Sequence, residues 1–152
     1  MAHLLRGKQA GVHNDLSTGL GPDLFVLDDV NRYGINSQIS AIAHDPVQQL
    51  IAVGTNDSKF GAGQIYVFGQ KRVEVVFTLP RGSSKGGVKI LQFCAEKLLC
   101  VDGRNDLSVF DLVEKRLRNA HSPPAKITAL HSDPTLDYAL LGTQNGMTLP
   151  EA

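Results

Sequence analysis

Apolar and polar positions along this chain alternate in short runs broken by turn signals, and the pattern predicts strands. Ile39 to His44 reads as a first strand, Asp45 and Pro46 open a turn, and the apolar run Leu50 to Val53 reads as a second strand. A polar, Gly-rich connection from Asn56 to Gly63 follows. Gln64 to Phe68 is a third strand, rich in β-branched and aromatic residues suited to a pleated surface buried on both sides. In VEVVFTL, Val73, Val75, Phe77 and Leu79 alternate with Glu74, Val76 and Thr78, the period of an outer, half-exposed strand.

The same order then recurs. After the loop PRGSSKGG, residues 80–87, the predicted strands are Val88–Cys94, Leu98–Val101, Leu107–Leu112 and Arg116–Ala120, and a third copy supplies Ile127–His131 and Tyr138–Leu141. An offset of 88 lays Ile39 on Ile127, Ala41 on Ala129, Asp45 and Pro46 on Asp133 and Pro134, and Gly54 and Thr55 on Gly142 and Thr143. A middle copy brings Val67 and Phe68 onto Val109 and Phe110 at a spacing of 42. Roughly 40 to 45 residues is one four-stranded propeller blade.

The expectation is therefore an all-β fold, an incomplete β-propeller of WD40-like blades. The proposed division is an arm and lead-in over 1–35, blade 1 over 36–80, blade 2 over 81–122 and a partial blade 3 over 123–152. Gly146 is followed only by MTLPEA, so strands three and four of the last unit are expected to be missing, leaving about two and a half blades. Blades bury both faces against neighbours, so open end faces call for a covering partner or for self-association.

Composition narrows the classes. With 42% hydrophobic and 20% charged residues, the chain is too apolar for disorder. Fifteen basic residues balance fifteen acidic ones, so no overall field draws it to nucleic acid. Residues 59–126 nevertheless hold twelve Lys or Arg against six acids, and there Lys71, Arg72, Arg81, Lys85 and Lys89 form the candidate site, a patch for an acidic partner or an anionic membrane surface. Ser83 and Ser84 lie among those charges, where phosphorylation would oppose the attraction. No signal-peptide core and no run of about 20 apolar residues is present, which points to a cytoplasmic protein with at most peripheral membrane contact.

Candidate chemistry is thin. Cys94 and Cys100 lack metal spacing and read as buried thiols. There is no GxSxG elbow and no HExxH helix. His44 and His131, close to equivalent Asp-Pro turns, read as hydrogen-bonded turn histidines, with Asp45 or Asp133 in a structural network. The loop GSSKGG lacks the spacing and the following helix of a phosphate loop. Neither a catalytic residue, a metal site nor a cofactor is expected. Five glycines or prolines within the first 23 residues break any amphipathic helix, so a mobile arm is expected there.

The runs RYGINSQISAIAHDPVQQLIAVGTND, GQIYVFGQKRVEVVFTLP and KITALHSDPTLDYALLGTQNG carry a resemblance. From about Leu24 to Gly146 the chain resembles the amino-terminal blades of the lethal giant larvae and tomosyn family, especially its fungal exocytosis regulators. The distinctive stretches are Arg32, Tyr33 and Gly34; Asp45 and Pro46 with Ala52 to Thr55; and Leu136 to Tyr138 with Gly142 to Gly146. The resemblance implies a non-enzymatic member of two seven-bladed propellers and a tail, which binds plasma-membrane SNARE proteins and vesicle small GTPases and acts in exocytosis and cell polarity. It also implies a place at the plasma membrane or on secretory vesicles for the full-length parent. After Gly146 the chain departs from the family pattern. The alternatives are a generic WD40-like interaction module, a truncated product without function, and an enzyme propeller, which the mostly apolar innermost strands disfavour.

Overall fold

A computed structural model describes residues 28, 32–56, 63–70, 72–80, 87–146 and 148–151, the last four by backbone alone. The chain divides into Met1–Ile35, whose described residues carry no regular structure, and Asn36–Ala152, which holds the strands found among the described residues. The strands are β1 (Ile39–Asp45), β2 (Leu50–Thr55), β3 (Gln64–Phe68), β4 (Val73–Thr78), β5 (Val88–Cys94), β6 (Lys97–Asp102), β7 (Leu107–Asp111), β8 (Arg116–His121), β9 (Ile127–Ser132), β10 (Ala139–Thr143) and β11 (Thr148–Glu151). They form three antiparallel sheets, β1-β2-β3-β4, β5-β6-β7-β8 and β9-β10-β11. These are stacked blades of an incomplete propeller, with the first strands of successive blades adjacent.

The last sheet corrects the expectation about MTLPEA. Thr148–Glu151 pairs with β10, Leu141 opposite Leu149 and Leu140 opposite Pro150, and so forms a third strand. Its sequence hides this. TLPE has neither alternation nor β-branched bulk beyond Thr148, and Pro150 cannot donate to a ladder, which suits it to an edge.

The offset of 88 holds in the hydrogen-bond register. Ile39 faces Thr55 and Ile127 faces Thr143, while Ala41 faces Gly54 and Ala129 faces Gly142. In each blade a bulge follows the first residue of the innermost strand, placing Ser40, Lys89 and Thr128 at equivalent irregular positions. A second bulge falls between Val67 and Phe68 in the β3–β4 ladder, where Phe68 faces Val73 and Val67 faces Val75. It shifts the phase of β4, so Phe77 and Leu79 are buried as their alternation predicts while Val73 is exposed.

Two cores lie in the two gaps between blades. Ala52, Ile65, Val67 and Phe77 of blade 1 meet Leu91, Phe93, Leu98, Cys100 and Phe110 of blade 2. Phe77 and Phe110 stack across this gap with centroids 4.6 Å apart. Leu99, Val101 and Leu107 on the far face of blade 2 meet Ile127, Leu130, Ala139 and Leu141 of blade 3. Each buried Leu or Phe contributes roughly 1.5–3 kcal/mol, so blade-to-blade burial is the principal stabilising term. The end blades lack one such neighbour. Ile42, equivalent to the buried Leu91 and Leu130, is 67% exposed on blade 1, and Leu140, equivalent to the buried Ala52 and Leu99, is 51% exposed on blade 3.

Candidate interaction surface

One end of the blades is built from short hairpin turns of repeated design. In DPVQQ the Asp45 carboxylate accepts the amides of Val47 (2.8 Å) and Gln48 (3.0 Å); in DLVEK the Asp111 carboxylate accepts those of Val113 (2.9 Å) and Glu114 (2.8 Å). Each turn closes on a residue with positive φ, Gln49 at 57° and Lys115 at 55°. The turn amides hold the Asp111 carboxyl below its usual range, with Arg118 and Arg116 adding to the effect, and Thr135 does the same for Asp133.

These turns also tie blade 1 to blade 2. Gln48 Nε2 donates to Asp45 Oδ2 (2.7 Å) and reaches the Ala95 carbonyl oxygen (2.9 Å) in the β5–β6 turn. Lys115 Nζ donates to the Glu74 carbonyl oxygen at 3.3 Å. Between these ties opens a cleft of about 190 Å³, lined by Leu50, Val67 and Val75 of blade 1 and Leu112 and Val113 of blade 2. Gln48, Glu74 and Lys115 stand at its mouth. A smaller apolar cleft between blades 2 and 3 is lined by Leu107, Val109 and Leu141, with Lys97 and Asp137 paired at 2.6 Å.

The candidate basic residues divide. Lys71, Arg81 and Lys85, like Ser83 and Ser84, lie outside the described residues, as does most of the amino-terminal arm. Arg72 is exposed beside the β3–β4 turn and bonds Glu74 at 3.2 Å. Lys89 is exposed at the β5 bulge, next to Val88, which faces Asp102. Phe68 and Val73 lie at the Ile51 end of blade 1, and Val88 lies against Gly54, so Arg72 and Lys89 occupy opposite ends of the blades.

The histidine expectation changes. His44 and His131 are exposed on β1 and β9, and the turn amides are accepted by Asp45 and Asp133 instead. For His44 alternation decides this, because it directly precedes the buried Asp45 on β1 and points to the opposite face; at the other turn Ser132 stands between His131 and Asp133. Both cysteines are free and buried, Cys100 in the first core and Cys94 in the second. Sequence reasoning missed the buried Asp102. Its Oδ1 accepts Arg104 N (2.8 Å) and Asp106 N (3.0 Å), while its Oδ2 has no partner. Among the described residues no group of three His, Cys, Asp or Glu could hold a metal ion, and no helix is long and apolar enough to cross a membrane.

The arrangement offers clefts, ion pairs and exposed blade faces, the materials of binding. The blade stack is similar to the WD40-like crystal structure of Saccharomyces cerevisiae Sqt1, with a TM-score of 0.58 over 75% of this chain and 31% of that one, at 17% identity. That likeness concerns the fold. No protein-family model matches the chain. Against Lethal(2) giant larvae protein homolog SRO77 of Saccharomyces cerevisiae, the chain is 35% identical over 143 residues, 93% of its length. It belongs to the lethal giant larvae family. The Lethal(2) giant larvae protein of Drosophila melanogaster is 28% identical over 96% of the chain. This lethal giant larvae chain spans only 13% of the length of either relative.

Proposed function

We propose that this chain is a non-catalytic binding scaffold, part of a lethal giant larvae type regulator of SNARE-dependent exocytosis and cell polarity. The observation that carries the reading is the 35% identity to the SRO77 homolog across nearly the whole chain. Rigid blades hold variable turns at fixed places, and partner binding there changes the availability of a SNARE for complex assembly. The partners are plasma-membrane SNARE proteins and vesicle small GTPases, met at the cytoplasmic face of the plasma membrane or on secretory vesicles.

The test is a titration of residues 1–152 against the soluble cytoplasmic domain of a plasma-membrane SNARE, followed by fluorescence anisotropy. Saturable binding supports the reading. A flat titration counts against SNARE binding by this chain. The exposed Ile42 and Leu140 favour a further property, self-association through the end faces.

A further inference from the structure

We infer that the cleft between blades 1 and 2 is a docking site for an extended segment of a partner protein carrying one branched aliphatic side chain beside a carboxylate. Both blades that frame it have all four strands, so it does not depend on the open end faces. Its floor is aliphatic, from Leu50, Val67, Val75 and Leu112. A volume of about 190 Å³ has room for one such side chain, given that an apolar cavity of about 150 Å³ admits benzene.

Charge at the mouth sets the second half of the assignment. The Glu74 carboxylate is engaged by Arg72 at 3.2 Å, and the Glu114 carboxylate by Arg116 at 2.5 Å. Lys115, which lines the same cleft, touches a backbone carbonyl oxygen and has no carboxylate partner among the described residues. An ammonium group at the edge of an apolar slot favours a carboxylate placed next to the side chain that fills it. Val113, 66% exposed at the lip, extends the apolar surface toward solvent. The floor anchors and Lys115 selects.

The inference deepens the binding-scaffold reading and rests on it. Its test uses no SNARE, so its failure is separate from failure of the anisotropy titration. Isotope-labelled residues 1–152 are titrated with acetyl-Glu-Leu-Leu-Glu-amide and acetyl-Lys-Leu-Leu-Lys-amide, following amide and methyl shifts. The expected result is perturbation at Leu50, Val67, Val75, Leu112 and Val113, with the acidic peptide binding about tenfold tighter. Lys115→Glu reverses the preference. Lys115→Asn suits the positive φ of 55° and so preserves the turn; it abolishes the preference while the same methyl groups still respond. Shifts that are absent, scattered over other surfaces, or equal for the two peptides in the wild-type chain overturn the assignment.

Discussion

Ser40 and Val88 belong to different blades, and the hydroxyl of the first donates to the carbonyl oxygen of the second across 2.6 Å. Gly54 brings its strand close enough for this, since a Cβ there would stand 2.4 Å from Val88 Cγ1. At the equivalent Gly142 a Cβ would meet nothing nearer than Ala129 Cβ at 3.4 Å. Gly54→Ala should therefore cost about 1–3 kcal/mol through overpacking, and Gly142→Ala should change stability by less than about 0.5 kcal/mol. Urea midpoints of the two variants check the contrast. Equal effects would deny that the Gly54 contact is an inter-blade one.

Removing the Asp45 carboxylate should be the most damaging turn substitution. It is fully buried and accepts three hydrogen bonds, one from the Gln48 side chain that bridges to blade 2. Asp45→Ala is expected to destabilise by about 1–3 kcal/mol, and Asp133→Ala, at an exposed turn, by less. Thermal unfolding of both variants measures the difference.

Alkaline pH should weaken the fold through its thiols. Burial, and then the Asp102 carboxylate, push the Cys100 thiol far above its usual 9.0; burial, with Asp137, raises Cys94 against an opposing effect of Lys97. Above pH 9 the unfolded chain has released these protons and the folded chain retains them, so stability falls as pH rises. The decline should approach about 1.4 kcal/mol per pH unit for a fully retained proton. Unfolding midpoints between about pH 7.5 and about pH 10 should show it, and Cys100→Ala should make it shallower, leaving the part due to Cys94. An unchanged slope in that variant would remove Cys100 as the cause.

The end faces give the concentration-dependent prediction. If they cover one another, the urea midpoint of residues 1–152 rises with protein concentration. Leu140→Lys, at an exposed site, should remove that dependence without lowering the midpoint of dilute protein. Sedimentation velocity on the same pair provides an independent reading.

Much of this architecture was legible because the repeat carries its own register. The spacing between Ile39 and Ile127 in the sequence is the spacing between their pairings with Thr55 and Thr143. Alternation identified β4 as an outer strand but not the phase change at Val73, since a bulge has no residue signature of its own when Phe68 and Val75 flank it. Pro150 concealed β11. The candidate site was less legible. Lys115 is one basic residue among many in sequence, and becomes distinctive only where the turns of two blades meet over Val75 and Leu112. Arg72 and Lys89 are near in sequence, but successive antiparallel strands carry neighbouring charges to opposite ends.

The stack of blades also implies an order in time. Blade 2 alone has both faces covered, by Phe77 and Ala52 on one side and by Leu130 and Leu141 on the other. Where each unit is held only by its neighbours, opening starts at the ends and travels inward. The amides of β5 and β6 are then the last to trade their hydrogens with solvent, and the middle of the chain is its longest memory of the native state.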